Sequence, residues 1–448
     1  MLWNRRYVIK SYMRSSLWLM PFFALLGYMV VHRITYGIGA WLLRTGRIDE
    51  TTSFFGLTMV GARAMLETIV TLNVSFIVFT FGSLLVAVQI AGGQYTPRII
   101  ATTLLRDNTI RFTVSYFIFS MMFAVRVLTR MGGETVHQFN TFIAAALGLV
   151  SLVVFLFLID YAARFLRPVS LVQQLGKSGI AVIRSMYPDP TMHPLPSRSS
   201  VRSAHPDRTV VNTSGSRIVL AVDVAGLVAQ ARNANGVIEF IPQVGDFVAV
   251  DEPLFRLYGG AEAIDDRLLR GAVALGTERT IEQDPTFAFR ILVDIAIKAL
   301  SPAINDPTTA VLALDQIHRL LRLVGLRHLR DEEIRDADGN PRLIFRTPNW
   351  EDYVHLSCIE IRHCGAGSVQ IMRRMRSMLE NLIQTLPPHR HTELSLQIEL
   401  LDRTIEKQYS FPEDIAIARI PDSQGLGGTL GLQPEGKAPT AKGAERDR

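Results

Sequence analysis

Residues 71–100 read TLNVSFIVFTFGSLLVAVQIAGGQYTPRII, and residues 72–90 contain no Asp, Glu, Lys or Arg. A helix needs about 20 such residues to cross about 30 Å of hydrocarbon. Backbone in hydrocarbon must satisfy its own polar groups, so the run is read as a membrane-spanning helix. It is expected to break at Gly92, Gly93 and Pro97, with Arg98 opening a short basic connection to the next apolar run.

Working outward gives four spans, at about 17–34, 68–90, 112–128 and 139–159. The first follows Arg5, Arg6, Lys10 and Arg14, the pattern of a signal peptide as well as of a first span. No small-x-small cleavage site follows and more spans come later, so an uncleaved span is expected. Arg98, Arg106 and Arg111 mark the second connection, and Arg164, Arg167, Lys177 and Arg184 follow span four. The third connection has no basic residue and holds Glu134, while the first mixes both signs. The bias places both termini in the cytoplasm. The 35–67 hairpin is long enough for an outer helix or cap, with Arg63 and Glu67 as a solvated i,i+4 pair.

The chain has 448 residues, 48% of them hydrophobic, and a formal charge of +6. Its basic residues sit beside apolar spans rather than in an aromatic-laced stripe, so a membrane surface is expected and nucleic acid is not. Cys358 and Cys364 lie on one predicted helix. At about 1.5 Å per residue their Cα atoms would be about 9 Å apart, too far for a disulfide, which suits a reducing compartment.

The expected domain order is a basic terminus (1–16), a four-helix transmembrane domain (17–184), a Pro-rich linker (185–216), a small β-barrel-like unit (217–260), a mostly helical cytoplasmic region (261–420) and a disordered tail (421–448). Strands are expected at 218–220, 236–240, 247–250 and 253–257, around a helix at 224–232 and a Gly245-Asp246 turn. Helices are expected at 263–275, 285–300, 307–324, 349–363, 368–386 and 393–408. The β segment is similar to half of a biotinyl/lipoyl barrel-sandwich module. Its carrier lysine has no counterpart, since no Lys lies between Ser178 and Lys298, so no cofactor is expected.

QIAGGQYTPRIIATTLLRD (89–107), DPTFAFRILVDIAIKALSPAINDPTTA (284–310) and EDYVHLSCIEIRHCGAG (351–367) together resemble a bacterial family of predicted membrane proteins, carried as domain of unknown function 2254. The resemblance implies a multi-span protein with a cytoplasmic carboxy-terminal region. It implies no activity.

Site candidates therefore come from residue chemistry. Asn73 and Gln89 put polar groups in span two, where they bond a neighbouring helix or line a pathway. Gly92, Gly93, Pro97 and Arg98 are read as a pore mouth or as an ordinary turn. Arg126 in span three either snorkels or attracts an anion. Ser301, Asn305, Asp306 and Thr308 form a turn at a helix start that could meet an anion, although capping by Asp306 and Pro307 accounts for it without a ligand. Asp294 pairs with Arg290 or meets that turn. His355, Cys358, His363 and Cys364 do not share one face, so no metal is expected. The main enzyme signatures are absent, and no enzyme activity is expected. The reading is a homo-oligomeric channel or transport-like protein for an ion or small solute, gated or assembled by its cytoplasmic region. The alternative is a membrane-anchored scaffold or sensor that binds a protein partner or envelope component.

Overall fold

The computed structural model describes residues 3–16, 18–45, 58–94, 107–131, 138–165, 167–190, 205–329 and 333–427. After a helix α1 (Trp3–Ser15) come α2 (Leu19–Arg44), α3 (Met59–Gln94), α4 (Asn108–Thr129) and α5 (Gln138–Phe165). Among the described residues, these last four are the helices long and apolar enough to cross a membrane. Each expected span falls on one of these helices, and each helix runs past its expected bounds except at the start of α2, which begins at Leu19 rather than 17. The ends of the 35–67 hairpin are continuations of α2 and α3, and no separate outer helix appears among the described residues. The Arg63–Glu67 pair, at 2.9 Å, is exposed on that extension of α3.

Helix α4 is the centre of the bundle: 44% of its apolar window is buried, against 28% for α3, 17% for α5 and 11% for α2. Phe123, Ala124 and Val127 pack with Leu66, Ile69 and Ala144. Further along, Phe117 packs with Phe76 and Leu158, and Phe76 stacks on Phe155 at 4.0 Å. Val78, Leu85, Leu149, Val153 and Leu156 face outward. Such a continuous apolar surface suits hydrocarbon and would be a liability in water.

The remaining chain is a mixed body. Helix α6 (Pro168–Met186) starts with proline in its first turn, and its Leu171, Val172, Leu175 and Ile183 enter the body's core. Helix α6, which falls within the 17–184 stretch expected to be transmembrane, thus packs with the body. The strands and short helices are β1 (Arg208–Val211), β2 (Arg217–Val222), α7 (Val224–Asn233), β3 (Gly236–Phe240), β4 (Phe247–Val248), β5 (Pro253–Gly259), α8 (Asp266–Gly271) and β6 (Val273–Gly276). They are followed by α9 (Pro285–Ala299), α10 (Pro307–Gly325), β7 (Glu333–Arg335), β8 (Pro341–Phe345), α11 (Trp350–Cys364), α12 (Val369–Thr385), α13 (His391–Gln408) and α14 (Pro412–Ala418).

Two open sheets, β1-β5-β3-β8-β7 and β4-β2-β6, stand where a small barrel was expected, and no closed barrel forms among the described residues. The physical reason is that partners come from outside 217–260. Strand β1 lies in the stretch read as linker, and β8 pairs in parallel with β3 from the region read as helical, Ile238 opposite Leu343. Similarly, 273–276 leaves the expected 263–275 helix to pair with β2. The Gly245-Asp246 turn forms as expected, with Gly245 at φ +96° and the Asp246 carboxylate accepting from the Gln243 amide at 2.8 Å.

Four long helices of the body start on a side-chain cap: Asp284 for α9, Asp306 for α10, Asn349 in a reciprocal pair with Asp352 for α11, and Ser368 for α12. Their apolar faces, including Ile291, Leu292, Leu314, Ile317, Tyr353 and Leu379, form one core with α6. Burying each such side chain contributes about 1.5–3 kcal/mol. Cys358 is in that core and Cys364 is exposed, both as free thiols, and burial pushes the Cys358 thiol up to about 12. The first residues of the expected disordered tail are ordered: the buried Asp422 carboxylate accepts from the amides of Gln424, Gly425 and Gly427 at 2.7–3.0 Å. Residues 428–448 lie outside the described residues.

Candidate functional site

The last four carbonyls of a helix have no partner within it. At the carboxy-terminal end of α3, Gly92 and Gly93 stay helical and the helix runs to Gln94, so the expected break does not fall at the glycines. The Gly92 carbonyl accepts a hydrogen bond from Lys298 Nζ at 3.1 Å. Pro97 and Arg98 lie outside the described residues.

Lys298 sits in the last turn of α9, immediately before the 301–309 turn. Ser301 Oγ donates to the Lys298 carbonyl at 2.7 Å, and the amides of Asn305 and Asp306 donate to the Ser301 and Ala299 carbonyls, both at 2.8 Å. Asn305 takes φ +47°, a left-handed conformation asparagine tolerates. Asp306 accepts from the Thr309 amide at 3.1 Å and from its hydroxyl at 2.5 Å. Capping thus engages both Asp306 oxygens, while Asn305 and Thr308 are exposed. Of its two readings, Asp294 takes the pair with Arg290, Nε to Oδ1 at 2.7 Å. Arg290 also donates to Glu360 at 2.9 Å, which raises the guanidinium pKa and holds the Glu360 carboxyl below its usual range.

Within the bundle, Asn73, Ser120 and Ser151, one from each of α3, α4 and α5, are fully buried. Asn73 Nδ2 donates to the Ile69 carbonyl at 2.9 Å and reaches Ser120 Oγ at 3.5 Å. Ser151 Oγ lies 3.2 Å from Ser120 Oγ. Asn73 therefore joins helices rather than facing outward. Gln89 is on the other side of the matter: it is exposed, as are Thr68, Ser75 and Gly82. These four recur every seven residues, so on α3 the row drifts by only about 20° per step. A Cβ on Gly82 or Gly93 would meet nothing within 4 Å.

Arg126 is exposed in the last turn of α4, and the neighbouring Arg130 lies 4.6 Å over the Tyr36 ring. Since Val127 packs level with Leu66, Arg126 is about 39 Å along α3 from Gly92, at about 1.5 Å per residue. Gly92 and the 298–306 turn are brought together; Arg126 and Asn73 are elsewhere. Among the described residues no three His, Cys, Asp or Glu side chains gather as a metal site, and His355 instead meets Glu393 at 2.8 Å.

Lys298 was not singled out from sequence. A lysine in a helix's last turn reads as a match for the helix dipole, and nothing local tells that its partner lies 206 residues earlier. The docking of α1 was missed for the same reason: Trp3 and Tyr7 pack on Leu220, Ala221 and Ala274.

No solved structure matches this chain. Uncharacterized proteins of Mycobacterium tuberculosis and Mycobacterium bovis are each 25% identical to it over 482 aligned positions, covering 99% of this chain and 89% of theirs. The family model described as predicted membrane protein (DUF2254) matches residues 14–381, most of the length and both the spans and the body, and the chain belongs to that family.

Proposed function

We propose that this protein is a homo-oligomeric channel or transport-like protein of the bacterial inner membrane, with both termini and the body in the cytoplasm and no enzymatic step. Copies of α3 line a shared axis, and the body gates or assembles them. The observation that carries the reading is the row Thr68, Ser75, Gly82 and Gln89 on the face of α3 turned away from its own bundle. A polar or small residue every seventh position on an outer face that also carries Val74, Val78, Phe81 and Leu85 is costly against lipid and fits close approach of another helix. The Lys298–Gly92 bond gives the body a direct hold on the end of that helix.

Ion flux into proteoliposomes containing the purified protein, with several anions and cations, tests this. Gly82→Leu and Gln89→Leu should each alter flux while leaving the monomer's melting intact. A second reading rests on Asn73, whose inward bonding makes it part of an anchor. In that reading the spans only hold a scaffold or sensor whose body binds a protein partner or envelope component. Absent flux for every ion, from inserted and folded protein, favours it.

A further inference from the structure

Helix α1 carries two kinds of surface. Trp3 and Tyr7 pack on the β4-β2-β6 sheet, while Val8, Ile9, Tyr12 and Met13 are left exposed. Between α1 and the first turns of α2 and α4 lies a crevice of about 530 Å³, lined by Arg6, Ile9, Lys10, Met13, Met20, Asn108 and Arg111. Arg111 is only 4% exposed and is fixed in place, with Nη2 donating to the Met13 carbonyl at 3.0 Å and Nη1 reaching Asn108 Oδ1 at 3.4 Å. Met20 and Asn108 belong to the opening turns of two candidate spans, so the crevice opens at the level where those helices enter hydrocarbon.

We infer that this crevice seats the phosphate of an anionic phospholipid from the leaflet next to the body. Arg6, Lys10 and Arg111 present three cations, and Ile9, Met13 and Met20 supply the apolar wall that the glycerol and first methylenes of an acyl chain require. Lysine and arginine beside anionic leaflets are the usual means of recognising such headgroups, and arginine matches a phosphate with paired donors. Of the acidic groups nearby, Asp107, next to Asn108, is buried and accepts from the Ile110 amide at 3.0 Å and from the Tyr161 hydroxyl, while Asp223 and Glu282 line a separate crevice that also borders Arg6 and Lys10. The Asp223 carboxylate there caps α7 through the Gly226 amide at 3.0 Å, and Glu282 accepts from Ser11 at 3.3 Å. Arg5 lines a third crevice, against the sheet. The lipid seat thereby joins α1, which is docked on the body, to the first and third spans.

Native mass spectrometry of the full-length protein in detergent, titrated with phosphatidylglycerol or phosphatidylcholine of identical chains, tests this. Phosphatidylglycerol should bind at least ten-fold tighter. R6Q/K10Q should weaken it about 30-fold, about five-fold per charge, and leave phosphatidylcholine unchanged. Arg5→Gln should hold the wild-type affinity within about two-fold, a margin well below the per-charge loss. Equal binding of the two lipids by the wild-type protein overturns the inference, and that comparison stands even if R6Q/K10Q does not fold. A loss in Arg5→Gln equal to that per charge in R6Q/K10Q overturns it as general basicity. Displacement of the lipid by millimolar inorganic phosphate overturns it in favour of a free anion.

Discussion

Replacing Lys298 by methionine removes one hydrogen bond and keeps the aliphatic stem. The bond runs from an ammonium to the carbonyl of Gly92 at 3.1 Å, and Lys298 is half-buried. Bonds involving a charged partner contribute about 1.5–3 kcal/mol, and partial exposure argues for the lower end. About 1.5 kcal/mol corresponds to roughly a ten-fold shift toward the state in which α3 is released from the body. The assay is hydrogen exchange in nanodiscs, read on peptides covering 84–94 and 292–306. Lys298→Met should speed exchange in 84–94 by up to ten-fold, with no change in the melting of the body. The buried Trp350, whose indole donates to the Arg390 carbonyl at 3.0 Å, reports that melting by its fluorescence. If the body gates conduction, flux should change in the same variant. Unchanged exchange in 84–94 would refute the reasoning, because a tie whose loss frees nothing holds nothing.

Asn73→Ala should lower the stability of the isolated bundle by about 1 kcal/mol, the usual scale for a polar contact between spans, as read by unfolding in mixed detergent. Asp422→Ala should release the 421–427 segment and expose it to limited proteolysis. Loss of its three amide bonds should cost about 1–2 kcal/mol locally, and unchanged cleavage would sink the docking argument. Stability of the body should also fall with acid. Burial, and then the charge of Arg374, hold His318 below its ordinary 6.5, so the folded state takes up this proton less readily than the unfolded chain. Its contribution is complete above pH 6.5 and is lost as pH falls toward its lowered value, so His318→Gln should flatten the slope between pH 7 and 5.5. Burial alone would raise Asp422, but its three backbone donors, Gly427, Gly425 and Gln424, hold it below 3.8, and its loss begins only in that stronger acid.

The spans and most helices of the body were legible because each is decided locally. Residues 72–90 lack charge over a bilayer's width, and Asp306-Pro307 states a helix start in two residues. The β region was legible by strand and not by sheet. Nothing in 236–240 says that its parallel neighbour lies at 343–345, a hundred residues on, so a half-module closing on itself was the economical expectation. The 185–216 stretch misled for a related reason: prolines and serines mark its middle, yet Val210, on the edge strand β1 paired with β5, is buried in the core beneath the sheet. In the membrane, composition showed that Asn73 and Gln89 are polar but not which way they face. That depends on a helical phase fixed by Phe76, Phe117 and Phe123 at the packed side of α3 and α4.

The same distinction bears on how the two halves work together. Among the described residues, the ties between bundle and body include Lys298 to Gly92, Val88 and Tyr161 against the body's core, and α1 through its dock on the β4-β2-β6 sheet and its Met13–Arg111 bond. All of them meet the bundle at one end, where α2 and α4 start and α3 finishes. Among the described residues, a movement of the body therefore pulls on that end of α3. Arg126, about 39 Å away, lies beyond its direct reach. A variant at Arg126 should accordingly leave exchange in 84–94 unchanged, whereas Lys298→Met should speed it.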